Sequence, residues 1–173
     1  KGVVSKRMDN MLKITTDGRK AALDIRLVEP NEQFTQQSKV FRCAENVFDI
    51  YLKTDGTQLV FCDTSTPKSS FNMYDELKRL LIKKGILPSE IAFVHDATTE
   101  AKRNTLFKMM RGGEIRVLIG STFKLGIGVN VQDKLIAIHH LDVPWRPADV
   151  GRILRTFKIK KNVEVTDNGK III

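Results

Sequence analysis

Apolar residues follow two patterns along the chain, and each pattern predicts a different element. In the first, apolar residues recur every three or four positions, which is the spacing of one helical face. The clearest case lies within residues 39–53 and consists of Val40, Ala44, Val47 and Tyr51. Helices are also predicted over residues 17–27 and 71–84, and from a threonine cap at 98 or 99 to residue 111.

The second pattern is the short and nearly continuous apolar run, which predicts a buried strand. Such runs span residues 58–62, 91–95, 115–119 and 135–139. Strands without a polar face, separated by helices, form parallel sheets that are covered on both faces. The predicted fold class is therefore α/β, and an Asn-Gly pair at 168–169 predicts a C-terminal hairpin.

The start of the chain differs from the rest. Residues 1–31 are polar and rich in charge, and Pro30 ends the helix that is predicted there. We therefore interpret residues 1–38 as an arm or linker that packs on something else, and residues 39–173 as the domain.

The loops that follow the predicted strands carry the candidate functional residues. In an open parallel sheet, ligands gather beyond the carboxyl ends of the strands. We therefore expect four segments to share one edge of the molecule: residues 63–68, 95–96, 120–130 and 142–155.

Composition bears on the partners of the chain. Its 173 residues, 42% of them hydrophobic, can bury one core. The net charge of +9 favours contact with a polyanion, although a solvated lysine-rich surface explains the charge equally well. Aromatic residues make up 7% of the chain and fall mostly within apolar segments, which argues against a platform of exposed rings. Contact with a nucleic-acid backbone is the better prediction.

Several site types are not supported by the sequence. No apolar run approaches the roughly 20 residues of a membrane span, and the first residues lack a signal-peptide core, so no membrane partner and a cytoplasmic location are expected. Cys43 and Cys62 are isolated in apolar segments, which indicates core residues and no metal site. A small-molecule enzyme is not favoured either, because the histidines lack an accompanying nucleophile, and His139 and His140 end a predicted strand.

The usual nucleotide-binding motifs are also missing. A dinucleotide fingerprint starting at Gly126 would need a glycine at position 131, which is Val131. No GxxxxGK[ST] loop occurs, so the chain alone is not expected to hydrolyse ATP. The acidic pair at residues 75–76 lies within a predicted helix, where a solvated face is the better interpretation than a magnesium site.

Five blocks of sequence, in order, carry a family resemblance. They read DNMLKITTDGRKAALDIRL, QLVFCDTSTPK, IAFVHDATTEAKR, VLIGSTFKLGIGVNVQDKLIAIHHLDVPWRPAD and GRILR. Together they resemble the second RecA-like lobe of superfamily-two helicases and translocases of the Swi/Snf type, and the resemblance covers about residues 10–155. The chain is similar to large bacterial and phage or mobile-element helicases that are often joined to an adenine-specific DNA methyltransferase.

The resemblance implies a RecA-like sheet and a role as the C-terminal motor lobe of an ATP-dependent DNA helicase or translocase. ATP with Mg²⁺ would be held mainly by an N-terminal RecA-like lobe of the same polypeptide, so this chain is expected to be part of a longer protein and inactive alone. The implied partner is DNA, with RNA left open, and a methyltransferase is a further possible attachment.

The resemblance also implies residues on the nucleotide side. Arg152 and Arg155 correspond to the arginine fingers, which stabilise charge on the γ-phosphate by factors of about 10³ to 10⁵. Gly126, Gly128 and Asn130 correspond to the loop that meets the nucleotide, while a plain turn is the alternative. The family usually has a Gln-Arg pair before the glycine of the finger motif, and this chain is shorter there by about four residues.

A second set of residues corresponds to contacts with the nucleic-acid backbone. Ser121 and Thr122 end the third predicted strand, where helix capping is the alternative role. His95 and Asp96 follow the second strand, with a capped, solvent-facing pair as the alternative, and Lys68 follows the first as a point charge. A module that keeps the RecA-like shape but only docks nucleic acid or protein remains the alternative function.

Overall fold

The computed structural model describes residues 11–125, 129–144, 148–149, 151, 153, 164–165 and 170–172. The helices in this part of the chain are α1 (Met11–Leu23), α2 (Lys39–Lys53), α3 (Met73–Lys84), α4 (Glu100–Gly112) and α5 (Thr122–Leu125). The strands are β1 (Thr57–Phe61), β2 (Ile91–Phe93), β3 (Val117–Gly120), β4 (Leu135–His140), β5 (Glu164–Val165) and β6 (Lys170–Ile172). Short 3₁₀ turns cover Ile25–Leu27, Pro88–Glu90 and Val94–Asp96.

The strands form one sheet in the order β2-β3-β1-β4-β6-β5. The first four strands in that order are parallel, whereas β6 runs antiparallel to β4 and β5 antiparallel to β6. Helices flank the parallel part, so the predicted α/β class with a RecA-like parallel sheet is confirmed. The pairing of β5 with β6 also confirms the C-terminal hairpin.

The two faces of the sheet each bury a separate apolar cluster. Every residue of β1 and β3 is buried, which explains why the sequence is continuously apolar at residues 59–62 and 117–119. One cluster joins α2 and α3 to their face of the sheet, with Val60 of β1 among its members. The other joins α4 and α5 to the opposite face, with Leu59 and Phe61 of β1.

Helix boundaries follow the local signals in most cases. Helix α2 has the predicted bounds, and the Ser38 side chain caps it by accepting the N–H of Phe41. Thr99 caps α4 in the same way, and Gly113 ends it with φ 88° in the left-handed region. The second predicted strand stops early, at Phe93, because the chain bends into the 3₁₀ turn Val94–Asp96.

Helix α1 begins at Met11, six residues before the predicted start at residue 17. Thr15 obscures this first turn in the sequence because β-branched residues disfavour helices. Its hydroxyl donates to the carbonyl of Met11 at 2.7 Å and is thereby accommodated. Leu23, at the end of α1, is 1% exposed and lies in the α2–α3 cluster, so this part of the predicted arm packs on the domain itself.

The acidic pair 75–76 lies in α3 as predicted, but a solvated face is wrong for Glu76, whose residue is 5% exposed. Arg79 and Arg26 both pair with its carboxylate at 2.8 Å. These partners, the hydrogen bond from Arg79 foremost, hold the pKa of Glu76 below its ordinary value.

Arg26 connects the chain after α1 to helix α3. Its guanidinium bonds to Asp24 and Glu76 at 2.8 Å and lies against the rings of Phe34 and Phe71, at 4.9 and 4.6 Å from their centroids. A planar cation can satisfy carboxylates at its rim while aromatic rings cover its faces. No local pattern indicates this contact, because Arg26 and Glu76 are distant along the chain.

Candidate functional site

Two aspartates tie together the loops at the carboxyl ends of three parallel strands. Asp142, after β4, accepts hydrogen bonds from the backbone N–H of Asp63 at 2.9 and 3.0 Å. Asp63, after β1, accepts from the N–H of Thr122, which follows β3, at 2.7 Å. Three of the four predicted loop segments therefore meet at one edge of the sheet.

The fourth segment, the turn Val94–Asp96, packs against α5 at the same edge. Burial lowers the pKa of His95 below 6.5, and the nearby Lys124 adds to this while Asp96 opposes it. The His95 ring also meets the ring of Tyr74 edge-on, at 5.2 Å between centroids. A neutral imidazole at pH 7 follows, so His95 can contact a phosphate by hydrogen bonding rather than as a cation.

Ser121 and Thr122 differ in their surroundings. The Ser121 hydroxyl accepts the N–H of Lys124 at 3.3 Å, so the helix-capping role exists in the structure. The Thr122 hydroxyl is buried and has no hydrogen-bond partner among the described residues. A buried hydroxyl without a protein partner is costly, and in folded proteins it usually marks a contact with an ordered water or a ligand.

Gly120 makes room for this arrangement. A Cβ atom at this position would lie well inside van der Waals contact with the side chains of Leu125 and Val94. The missing side chain therefore lets α5 and the turn after β2 pack closely over the end of β3. This close approach sets the position of Thr122.

Lys68 is exposed on a loop whose backbone is fixed from within. The Tyr74 hydroxyl donates to the carbonyl of Cys62 at 2.8 Å, and the Ser65 hydroxyl accepts the N–H of Met73 at 3.1 Å. Asn72 then donates its side-chain amide to the carbonyl of Lys68 at 3.0 Å. Because the backbone of this loop is already held in place, the loop loses little conformational entropy when the Lys68 ammonium group binds an anion.

Asn130 is exposed, and its carbonyl accepts from Arg111 at 2.6 Å. Gly126 and Gly128 lie outside the described residues, as do Arg152 and Arg155. Next to the arginine positions the structure describes Ile153, which is buried in the α4–α5 cluster.

A cavity of about 240 Å³ opens beside Asp142. Its lining includes the cationic side chains of Arg19 and Lys39, and Arg19 donates to the carbonyl of Val143 at 2.5 Å. These two residues add positive charge near the carboxyl edge of the sheet. Sequence reasoning places Arg19 in the arm and assigns it no role at this edge.

The two histidines of β4 have different environments: His139 pairs with a polar side chain, and His140 stacks on an aromatic ring. His139 Nε2 lies 2.8 Å from Gln58 Oε1, and the Gln58 amide donates to the carbonyl of Val47 at 2.9 Å. His140 stacks on Phe61 with 5.2 Å between ring centroids, and neither of its ring nitrogens has a hydrogen-bond partner in the described part of the chain. Burial lowers its pKa.

The thiols offer no reactive group. Cys43 and Cys62 are both free and buried, and burial raises the pKa of Cys43 to about 12 and that of Cys62 further still. Within the residues that the structure describes, no group of three or more histidine, cysteine or acidic side chains is placed to hold a metal ion. In the same residues, no helix has both the length and the apolar character needed to cross a bilayer.

Sequence reasoning places Asp63 and Asp142 in the functional loops but gives them no role. The available signal is their position, since each lies two residues after the last residue of a parallel strand. Phe123 is missed altogether, because sequence reasoning expects the aromatic rings to lie within apolar segments, whereas this ring is exposed. It lies in the predicted loop after β3, where its exposure depends on how α5 packs.

Comparison with known proteins adds no assignment. The chain matches no model of a known protein family, and no curated protein matches it either. Any functional assignment therefore depends on the fold, on the residues at the carboxyl edge of the sheet and on the ordered sequence blocks.

Proposed function

We propose that the chain is the C-terminal motor lobe of an ATP-dependent DNA helicase or translocase. In this proposal it contributes arginine fingers and phosphate-backbone contacts, while an N-terminal lobe of the same polypeptide holds most of the ATP and Mg²⁺. A cytoplasmic location belongs to the same proposal.

The observation that carries the proposal is the link between Asp63, Thr122 and Asp142. It draws the loops after β1, β3 and β4 together and leaves the Thr122 hydroxyl buried without a partner among the described residues. A phosphate oxygen is a strong acceptor for such a hydroxyl, and backbone phosphates are the usual target of small polar side chains. The arrangement thus supports a phosphate contact at the start of α5, which the Thr122 hydroxyl, buried in this structure, can join only if its surroundings open on binding.

The charges around this link also favour a polyanion. Lys68 lies on the fixed loop after β1, Lys124 follows Thr122 in α5, and Lys39 lines the cavity beside Asp142. The carboxylates of Asp63 and Asp142 accept backbone N–H groups, which partly offsets their negative charge. A bound phosphate backbone would therefore meet mainly ammonium groups and hydroxyls.

The proposed cycle assigns each residue set one task. Arg152 and Arg155 enter the cleft when the two lobes close and stabilise negative charge on the γ-phosphate as it is transferred to water. Gly126, Gly128 and Asn130 approach the nucleotide from this lobe. Ser121, Thr122, His95, Asp96 and Lys68 hold the strand, so that alternate closing and opening advances the motor.

The experiment that tests the proposal uses the full-length protein. Replacing Arg152 and Arg155 together by alanine is expected to lower DNA-stimulated ATP hydrolysis by a factor of about 10³ or more. The control replaces Lys53 and Lys83, exposed residues at the C-terminal ends of α2 and α3, and removes the same charge. Unchanged hydrolysis in the arginine variant would refute the motor role.

A non-catalytic docking module is the second candidate. The observation that favours it is the shortened finger segment, in which Gly151-Arg152 directly follows Val150. In this case the full-length protein binds nucleic acid or a protein partner through the same edge without coupling to ATP. Nucleic-acid binding that is weakened in Lys68→Ala, in a protein without DNA-stimulated ATP hydrolysis, would select this candidate over the motor.

A further inference from the structure

Phe123 is the most exposed large hydrophobic side chain in the described part of the chain, at 81%. Its neighbours in α5, Thr122 and Leu125, are buried, and Leu125 belongs to the α4–α5 cluster. The short helix therefore anchors itself to the sheet through these residues and presents the phenyl ring to solvent. An exposed aromatic ring beside a polar, cationic edge invites a flat apolar partner.

The surroundings of Phe123 indicate the chemistry of that partner. Lys124 follows it in the helix, and α5 packs against the turn that carries His95. Asp96 is the acidic side chain on that turn, and its exposure lets water screen its charge. A partner with a flat apolar surface and regular negative charge matches this combination, and a nucleic-acid strand has both.

We propose that Phe123 stacks on a base of a single-stranded nucleic acid that is bound along the carboxyl edge of the sheet. This inference rests on the proposed function and specifies the form of its substrate. A base inside a duplex has its faces covered by its neighbours, so stacking requires a strand whose base is exposed at this point. Every base offers such a face, so the contact carries little sequence preference.

The test compares two single strands with the full-length protein and its variants. One strand is oligo-dT, and the other has the same length and backbone but abasic sites in place of the bases. Wild-type protein is expected to bind oligo-dT about 5- to 150-fold more tightly than the abasic strand, which is the range for one stacked base. Phe123→Ala is expected to abolish this difference and leave affinity for the abasic strand unchanged.

Three further variants separate stacking from shape and charge. Phe123→Leu keeps an apolar side chain without a ring and should behave like Phe123→Ala, whereas Phe123→Tyr should keep the preference for oligo-dT. Lys124→Ala should weaken binding to both strands alike, because it removes a phosphate contact. Circular dichroism and the urea midpoint check that each variant folds like the wild type.

The failures of the two proposals are distinguishable. If Phe123→Ala binds both strands as the wild type does, or weakens both equally, the stacking proposal is wrong while the nucleic-acid function stands. If the wild-type protein binds neither single strand but does bind duplex DNA, the stacking proposal is wrong while the nucleic-acid function stands. If it binds neither the single strands nor the duplex, both proposals fail.

Discussion

Asp142 and Asp63 are joined through a side chain and a backbone group: both oxygens of the Asp142 carboxylate accept the N–H of Asp63, at 2.9 and 3.0 Å. Asp142 is 6% exposed, so this contact is shielded from water. The contact fixes the end of β4 against the end of β1, two strands that are already paired in parallel. The pairing of the strands thus determines the relative positions of the loops that form the candidate site.

Replacing Asp142 by alanine should destabilise the fold. The N–H groups of Asp63 and Thr64 would lose their acceptor, and we expect the free energy of unfolding to fall by about 1–3 kcal/mol. Urea denaturation measures the change. Asp133→Ala, at an exposed position, is the control and should stay within about 0.5 kcal/mol of the wild type. Equal losses in the two variants would contradict the structural role of Asp142.

Gly120→Ala should be unfavourable for steric reasons. The added methyl group would overlap Leu125 and Val94, and we expect a loss of about 1–3 kcal/mol in the free energy of unfolding. Gly18→Ala in α1 is the matched control, because a methyl group added there would meet no atom within 4 Å. A gain of about 0.5–1 kcal/mol is expected there, since alanine favours the helix. Thermal or urea unfolding of both variants measures the two changes in the free energy of unfolding.

Glu76 should contribute a pH-dependent part of the stability. Its pKa in the folded protein lies below the ordinary value of 4.5, so the folded state holds its proton less tightly than the unfolded state does. The contribution is therefore present above pH 4.5 and is lost as the pH falls below that value. We expect the wild type to lose more stability on acidification than Glu76→Gln does.

Urea denaturation at neutral pH and at a pH below 4.5 measures this difference. Glu32→Gln, which changes an exposed carboxylate in the loop before α2, is the control and should stay within about 0.5 kcal/mol of the wild type at both pH values. The interpretation is wrong if Glu76→Gln and the wild type lose stability in parallel.

Lys68→Ala should weaken nucleic-acid binding in a salt-dependent way. Removing one phosphate contact is expected to lower the slope of log affinity against log salt concentration by about one, without changing sequence preference. Lys53→Ala removes the same charge at the opposite edge of the sheet, just before β1, and should leave the slope unchanged. Titrations at several salt concentrations with the full-length protein provide the comparison.

Local signals make most of the fold predictable. Helix α2 has its predicted bounds because apolar spacing and capping agree along its length. The end of β2 is not predictable, because Val94 is apolar like the strand before it and only the packing of α5 shows that it belongs to a turn. Pattern alone cannot separate an apolar turn residue from the last residue of a strand.

The sequence predicts where the candidate site lies, at the carboxyl edge of the sheet, but not which residues contact one another there. Parallel strands place their following loops together, so the position of Thr122 can be anticipated. Its hydrogen bond to Asp63 depends on tertiary packing, as does the burial of Glu76 by Arg26. The exposure of Phe123 is unpredictable for the same reason, and the arginine predictions at 152 and 155 remain predictions.

The polar pair of Gln58 and His139 has a consequence for folding fidelity. The amide of Gln58 already donates to Val47, so its oxygen is left to accept from the imidazole of the neighbouring strand. A shift of β4 by one residue would turn the His139 side chain to the other face of the sheet. The Gln58 oxygen would then be buried in the apolar core without a hydrogen-bond donor. A misaligned pair of β1 and β4 therefore has a higher free energy than the native alignment. This difference favours correct pairing of the two central strands during folding.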